Sequence, residues 1–487
     1  MEAENQLIQQ RLEKLKWLYE RGINPYPYKF DKKNNAAEIL EKFKKLKKEE
    51  RTQSKVSIAG RIMTFRPMGK AGFLHIQDDS GQVQIYVRED RIGKDNYEIF
   101  RKLDLGDIIG VQGKIFRTKM GEITVEAAKI ELLCKSLRPL PEKWHGLKDI
   151  EARYRQRYLD LIVNPGVKRT FVLRGLIIKH MREFLERKGF IEVDTPVLQP
   201  IYGGTNARPF KSVLHELKMP IYLRISNELY LKRLVVGGFE KIFEFSKDFR
   251  NEGIDSTHNP EFTLMETMWA YADYKDNMDL CEEMIEYIAK KVLGTTKIEY
   301  RGEHIDVKRP WKRMTMSESL KKIAGLDVGS LDDKELKKLL DEKKVKYAHF
   351  SRGAGIQLLF EELVEPRLVQ PTIIYDYPHE TCVLAKQKQD NKLYAERFEP
   401  FIFGWEIGNS YTEENIPDVL KQEWEKQEQS HAKGDEEAQR MDRDFIKALE
   451  YGMPPVSGLG IGVDRLVMIF TGSESIKDVI LFPFMRS

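Results

Sequence analysis

Apolar residues recur at helical spacing at the start of the chain. Leu7, Ile8, Leu12, Leu15, Leu18 and Tyr19 form one stripe within residues 4–22, with charges between them, a pattern that predicts an amphipathic helix. Gly22, Pro25 and Pro27 stop it, because proline cannot continue a helical hydrogen-bond ladder. A second helix is expected over roughly 35–51. Between residues 55 and 133 the period shortens to two. VSIAGRI (56–62), GFLHIQD (72–78) and QVQIYVR (82–88) read as strands, with Asp79-Ser80-Gly81 as a tight turn. A helical piece over 91–103 follows, then strands DIIGVQGKIF (107–116) and EITVEAAKIELL (122–133).

Three strands, a helix and two strands is the order of an OB-fold, a small barrel that often binds single-stranded nucleic acid. Any small five-stranded barrel gives the same pattern, so the strands alone leave that choice open. Leu137 to Trp144 contains two prolines and reads as a linker. Beyond it a helix is expected at 166–188, stopped by Gly189, then a short strand at 190–193 before Thr195-Pro196, and a helix at 223–236. Two β segments, 240–252 and 261–270, flank a polar loop. Strands and helices do not alternate regularly, which favours an antiparallel α+β domain over a doubly wound one.

At 487 residues the chain needs more than one core. Its 41% hydrophobic and 32% charged residues fit a globular protein with a heavily charged surface. No run of about 18 apolar residues occurs, so no membrane helix is expected. The polar N-terminus lacks the apolar stretch of an export signal. Cys134, Cys281 and Cys382 are odd in number and far apart, which speaks against zinc sites and disulfides and for a reducing cytoplasm. Net charge is only +4, yet residues 1–60 hold 14 Lys/Arg against 9 Asp/Glu. The lysine run from Glu41 to Arg51 is most simply a solvated helix face; the other reading is a surface that steers a polyanion.

Familiar phosphate-binding signatures are missing: there is no GxxxxGK[ST], no GxGxxG and no kinase motif. A phosphate site must then be built from arginines and a carboxylate-bound metal. The densest cluster is Phe249-Arg250-Asn251-Glu252 followed by His258-Asn259-Pro260-Glu261-Phe262. If the two β segments form a hairpin, Arg250, Glu252 and Phe262 share one surface. An arginine gives paired hydrogen bonds to phosphate or carboxylate, and a ring gives a stacking face. A surface ion-pair hairpin is the plainer account of such residues. Near the other end, Gly458-Leu459-Gly460-Ile461-Gly462-Val463-Asp464-Arg465 precedes an apolar helix. Alternating glycines clear one strand face for a flat ligand, and Arg465 falls at a helix N-terminus, where anions are favoured. Close packing of helix on strand would also account for the glycines.

These strings resemble a known family. GFIEVDTPVL (189–198), FRNE with HNPEF (249–262) and GLGIGVDR (458–465) look like motifs 1, 2 and 3 of class II aminoacyl-tRNA synthetases, in order. An N-terminal OB-fold narrows the likeness to the lysine, aspartate and asparagine subgroup. YGGTNARPF (202–210), NELYLKRLVVGGFE (227–240), AYADYKD (270–276), LVQPT (368–372) and EIGNSYTE (406–413) resemble the lysine members. The likeness runs from about Arg11 to Phe482. It implies a helical extension at 1–54, an OB-fold anticodon-binding domain at 55–135, a linker at 136–165 and a catalytic domain at 166–487, with an antiparallel sheet flanked by helices.

The resemblance also implies roles. Arg250 would hold the ATP α-phosphate and the attacking carboxylate together, Arg465 the γ-phosphate, and His258 further phosphate oxygens. Phe262 would stack on adenine, while Glu252 and Asn259 orient the nucleotide. Glu399 and Glu406 match Mg²⁺ ligands; seven apart, they face one side only if a hairpin turns near Phe403-Gly404. Glu228, Glu266 and Glu413 match an acidic lysine pocket lined by Gly204, Asn409 and Tyr411, with Glu413 on the side-chain ammonium and Glu228 on the α-ammonium. Arg66, Phe73 and Gln84 match positions that read the central anticodon uridine, although Phe73 alone would read as a core residue. Pro196 in motif 1 implies a homodimer. Expected partners are tRNA(Lys), ATP, L-lysine and a second copy, with neither membrane nor DNA.

Three features depart from the family pattern. Met268 stands where lysine enzymes usually carry a substrate-contacting tyrosine, and a thioether cannot donate that hydrogen bond. Thr412-Glu413-Glu414-Asn415-Ile416 replaces a more usual S/T-E-L-N-D, and PHETCVLAK (378–386) lacks the common Ser-Pro. An aspartyl- or asparaginyl-type enzyme is disfavoured by the three pocket glutamates, since an aspartate site needs cations. An inactive RNA-binding paralogue would have no need of Arg250, Glu399, Glu406 and Arg465.

Overall fold

The computed structural model describes residues 2–141, 149–347, 350–432 and 439–486. It divides into two compact units, Met1–Leu147 and Lys148–Ser487.

In the first unit five strands close into a barrel: β1 (Arg51–Met68), β2 (Ala71–Gln77), β3 (Gln82–Arg88), β4 (Ile108–Arg117) and β5 (Ile123–Cys134), in the order β1-β2-β3-β5-β4. Strict alternation sends Leu74, Ile76, Val83, Ile85 and Val87 inward. Helix α1 (Glu2–Glu20) is anchored by the buried Arg11, whose guanidinium donates to the carbonyls of Leu105, Ser136 and Arg138. Helix α2 (Ala36–Phe43) is much shorter than the 35–51 read from the sequence. Its continuation joins the barrel edge instead: Glu49 N–H donates to Arg117 O and Arg117 N–H to Glu50 O. Ladder pairing there outweighs the helix propensity of a lysine-rich run. The helical piece after β3 is split into α3 (Glu89–Ile92) and α4 (Lys94–Lys102) at Gly93, whose φ is 84°.

The second unit begins with helices where a linker was expected. Residues 142–148 lie outside the described residues, but α5 (Ile150–Arg155) and α6 (Arg157–Val163) pack into the unit. Arg157 is buried, paired with Asp160, and donates to the carbonyls of Lys477 and Leu481. Those contacts lie more than 300 residues along the chain, out of reach of a local reading. Helix α7 (Pro165–Arg187) leads through Gly189 into β6 (Ile191–Glu192), followed by a three-stranded sheet of β7 (Leu198–Gln199), β9 (Met219–Leu223) and β8 (Lys211–Leu214). Helix α8 (Glu228–Val236) starts five residues later than the predicted 223, because Leu223 is committed to β9.

The main sheet also contains β10 (Lys241–Phe249), β11 (Glu261–Ala270), β14 (Lys312–Thr315), β15 (Thr372–Pro378), β16 (Tyr394–Ile402), β17 (Trp405–Glu406), β18 (Gly408–Thr412) and β19 (Val456–Gly462); the small hairpin β12 (Lys297–Tyr300) and β13 (Glu303–Asp306) stands apart. Its order is β14-β15-β16-β18-β19-β11-β10-β6, antiparallel except at the two edge pairs, with β17 beside β16. One face is covered by α7, by α9 (Tyr274–Leu293) and by the helix Val463–Thr471, enclosing Ile177, Met181, Met284, Ile288, Leu459, Ile461 and Val467. The opposite face carries the cleft. This is the α+β class expected from the irregular order of helices and strands.

Candidate active site

Period-two geometry builds the cleft. Along β19, Leu459 and Ile461 point into the core, leaving Gly458, Gly460 and Gly462 on the cleft side. A Cβ at Gly458 would displace the Glu413 carboxylate, so glycine there leaves that pocket group its place. Along β11, Phe262, Leu264 and Glu266 face the same way. The cavity, about 390 Å³, is of the size that takes a small-molecule ligand. Every residue that the resemblance assigned to ATP, lysine or metal lines it.

At one end stand the arginines. β10 and β11 form a regular antiparallel hairpin in which Asp248 faces Phe262, and Arg250 N–H still donates to Pro260 O beyond the last strand residue. The Arg250 guanidinium lies 4.9 Å from the centroid of Phe262, a cation–π contact. Asn259 uses its amide on Glu261 O and has a buried side-chain oxygen with no protein partner. Glu252 is exposed on the rim. His258 Nδ1 is 2.8 Å from Asp255, and its Nε2 is 3.3 Å from Arg465. A guanidinium can only donate, so Nε2 accepts and the ring proton sits on Nδ1. Arg465 also donates to the main-chain oxygen and carboxylate of Glu406, at 2.8 and 3.1 Å.

The expected turn occurs at Phe403-Gly404. Both have positive φ, 56° and 69°, the conformation of the tightest hairpin loops. Phe401 pairs with Glu406 across it, so Glu399, two residues before Phe401, lies on the same face as Glu406. Burial pushes the Glu399 carboxyl above the carboxylate range; Arg397 opposes this and Glu406 adds to it. Nearby, Glu365 is raised to about 7, first by burial and then by Glu399, Glu361 and Glu406. Carboxylates this crowded gain from a cation among them. Among the described residues, three or more ligating side chains do not converge on one point. Mg²⁺ commonly takes one or two carboxylates and completes its shell with phosphate and water, and this oxygen-only pair suits it.

The other end of the cleft is acidic and dry. Glu228 at the start of α8, Glu266 on β11 and Glu413 just after β18 are 5%, 7% and 1% exposed. Burial, then Glu228, Asp248 and Glu413, hold the Glu266 carboxyl well above its usual range. The Tyr411 hydroxyl is hydrogen-bonded to Glu228. Asn409 accepts from Arg397 at 3.0 Å. Gly204, at φ 92°, leaves no room for a Cβ, which would lie 2.9 Å from Ser226 Oγ.

The sequence departures resolve into two features. Met268 is fully buried in an apolar cluster beside Gly458, whereas Tyr411 lines the cavity. The segments 378–386 and 412–416 lie against each other: Glu414 N–H donates to Leu384 O, and Lys386 Nζ lies 2.6 Å from Asn415 Oδ1. The two departures are therefore neighbours in space, and Glu413 lines the pocket.

On the barrel, Arg66 and Phe73 are directly paired across β1 and β2, and Gln84 lies two residues from Phe73's partner Tyr86 on β3. Phe73 is half-buried on the outer face, stacked on Tyr86 at 4.5 Å, and is not a core residue. Gln84 donates to Glu122 and accepts from Thr124.

Residue-by-residue reading missed several side chains here. Tyr86 and His75 share the barrel face and were findable, standing two positions from Gln84 and Phe73 in alternating strands. Arg397, Glu365, Tyr377 and Lys232 carried no comparable signal.

The catalytic-sized unit matches the family described as tRNA synthetases class II (D, K and N) over residues 149–486. Residues 56–133 match the OB-fold nucleic acid binding domain. The chain is 52% identical to the lysine–tRNA ligase of Carboxydothermus hydrogenoformans, covering 99% of this chain and 98% of that one. It is 53% identical to that of Pelotomaculum thermopropionicum, covering 99% and 95%. For the Moorella thermoacetica enzyme the figures are 51%, 100% and 99%. With motifs, sheet and barrel all in place, the chain belongs to the class II tRNA synthetases of the aspartate, lysine and asparagine branch.

Proposed function

We propose that this protein is a lysine–tRNA ligase that activates L-lysine with ATP and transfers it to tRNA(Lys). The observation that carries the reading is a buried pocket of three glutamates opening beside Arg250 in the same cleft. Burying the two ammonium groups of lysine demands carboxylate partners. The lysine carboxylate then faces the guanidinium.

In the first step a carboxylate oxygen of lysine attacks the α-phosphorus of ATP. The bond to the pyrophosphate oxygen breaks, and lysyl-adenylate forms. In the second, a hydroxyl of the terminal tRNA ribose attacks the acyl carbon and AMP leaves. Neither step needs a protein nucleophile, so the chain contributes alignment and charge neutralisation. Arg250 bridges α-phosphate and carboxylate, Arg465 and His258 bind the outer phosphates, and Phe262 stacks on adenine, with Glu252 and Asn259 orienting the nucleotide. Glu399 and Glu406 would hold Mg²⁺, which when bound would supply charge neutralisation at the phosphates. Glu413 and Glu228 take the side-chain and α-ammonium groups, with Glu266, Asn409, Tyr411 and Gly204 around them.

Arg66, Phe73 and Gln84 read the anticodon, with stacking on the Phe73 ring as single-stranded RNA recognition requires. A homodimer is supported by the exposure of Ile191, Leu198, Val213 and Leu214 on the short strands around Pro196 and of Val197 next to them, apolar side chains of the kind partners cover. No described helix is long and apolar enough to cross a membrane, and the cytoplasm is where ATP and tRNA meet. ATP–pyrophosphate exchange with each of the twenty amino acids tests the reading: lysine alone should support it, and exchange with aspartate or asparagine instead would refute it. Sedimentation as a monomer would refute the dimer.

A further inference from the structure

We propose that Lys232 is a built-in counter-ion of the lysine pocket, a positioning residue that holds Glu228 and Glu413 together and aims them at the incoming dication. The proposal rests on the reading of that pocket given above. Lys232 lies one helical turn after Glu228 on α8 and is 1% exposed. Its ammonium sits 2.5 Å from Glu228 Oε1 and 2.5 Å from Glu413 Oε2, below the Tyr411 ring. It therefore ties the start of a helix to a loop 181 residues further on.

Charge counting gives the reason. One ammonium set between two of the three pocket glutamates offsets part of a cluster of acidic groups that are each more than 90% buried. Lysine brings two ammonium groups. Without Lys232 the empty pocket would hold three facing carboxylates, and like charges that close do not all stay ionised. Burial alone would lower the affinity of Lys232 for its proton, but Glu228 and Glu413 more than reverse this. Burial, with Glu228 reinforcing, lifts Glu413 to about 8 even though Lys232 opposes the rise. The other groups facing this centre are Glu266 on β11, Asp248 and Glu244 on β10, Tyr411 on β18 and Arg397 on β16. The nearby cations are engaged elsewhere: Arg397 by Glu399 and Asn409, Arg224 by Glu244 and Asp248, and Arg250 rests on the Phe262 ring.

The test uses the full-length protein with Lys232→Met and Lys232→Gln, lysine-dependent exchange from pH 6.5 to 8.5, and ATP affinity at each pH. At pH 7 the KM for lysine should rise on the order of 100-fold, with ATP affinity within about 2-fold of wild type. The same split, a raised lysine KM with ATP affinity held, should appear at every pH in the range. An unchanged lysine KM overturns the proposal. A lowered KM overturns it too, since Lys232 would then be occupying the substrate's place. Loss of ATP affinity in both variants would reduce Lys232 to a structural role. Should wild type itself show no lysine-dependent exchange, it is the pocket's identity that fails.

Discussion

The Arg250 guanidinium rests 4.9 Å above the Phe262 ring, the two side chains projecting from opposite arms of one hairpin. A cation held by an aromatic face keeps its hydrogen-bond donors free at its edge. Among the described residues the Arg250 guanidinium makes one long hydrogen bond, 3.5 Å to Ile225 O. It is poised for an external anion.

Replacing Arg250 with alanine should lower exchange on the order of 100–1000-fold, the usual loss for one electrostatic contact in a transition state. Binding of an anticodon stem-loop should be unaffected. An exchange rate equal to wild type would remove Arg250 from the chemistry.

Glu413→Gln leaves ammonium groups in a buried pocket with one carboxylate fewer. Losing one partner of a buried pair costs about 3–5 kcal/mol, so the KM for lysine should increase at least 100-fold while that for ATP holds. Steady-state exchange at varied lysine and ATP decides it, and an unaltered lysine KM contradicts the assignment.

Asp248 predicts a pH dependence. Burial raises its carboxyl to about 6, against the pull of Arg224 and Arg250. The folded state thus holds this proton more tightly than the unfolded chain. Its contribution is fully present below about pH 4 and is lost as pH rises through about 6. Thermal unfolding of wild type against Asp248→Asn should show the variant gaining relative stability between pH 4 and 7, by about 3 kcal/mol at most. A constant difference across that range would show that the carboxyl titrates normally.

Phe73→Ala should weaken binding of the anticodon stem-loop by about 1–3 kcal/mol, the value of one base–aromatic stack. Exchange without tRNA should not change. Equal stem-loop affinity, measured by fluorescence titration, would place RNA elsewhere on the barrel.

Much of this was legible in the chain because strands write their geometry into alternate positions. The barrel strands, the glycines of 458–462 and the hairpin around Arg250 followed from period two. Glu399 and Glu406 were singled out by the resemblance, and their sharing one face hung on a turn at Phe403-Gly404 that the chain does make. Where the local signal was weak or outvoted, tertiary structure decided. The lysine run after Phe43 lost its helix to an edge ladder with Arg117. The stretch after Ile150 gained helices through Arg157, whose partners lie near residue 480. Phe73, which alone would read as core, proved to face outward with Tyr86.

The sequence by itself determined the fold class, the order of elements and which side chains share each strand face, because these depend on neighbours two to four positions apart. Only the folded chain decided the electrical balance of the cleft. That Lys232 offsets Glu413, and that Arg465 rests on Glu406, depends on distances between residues 181 and 59 positions apart, and charge pairing in a dry interior acts through space with no trace in local periodicity.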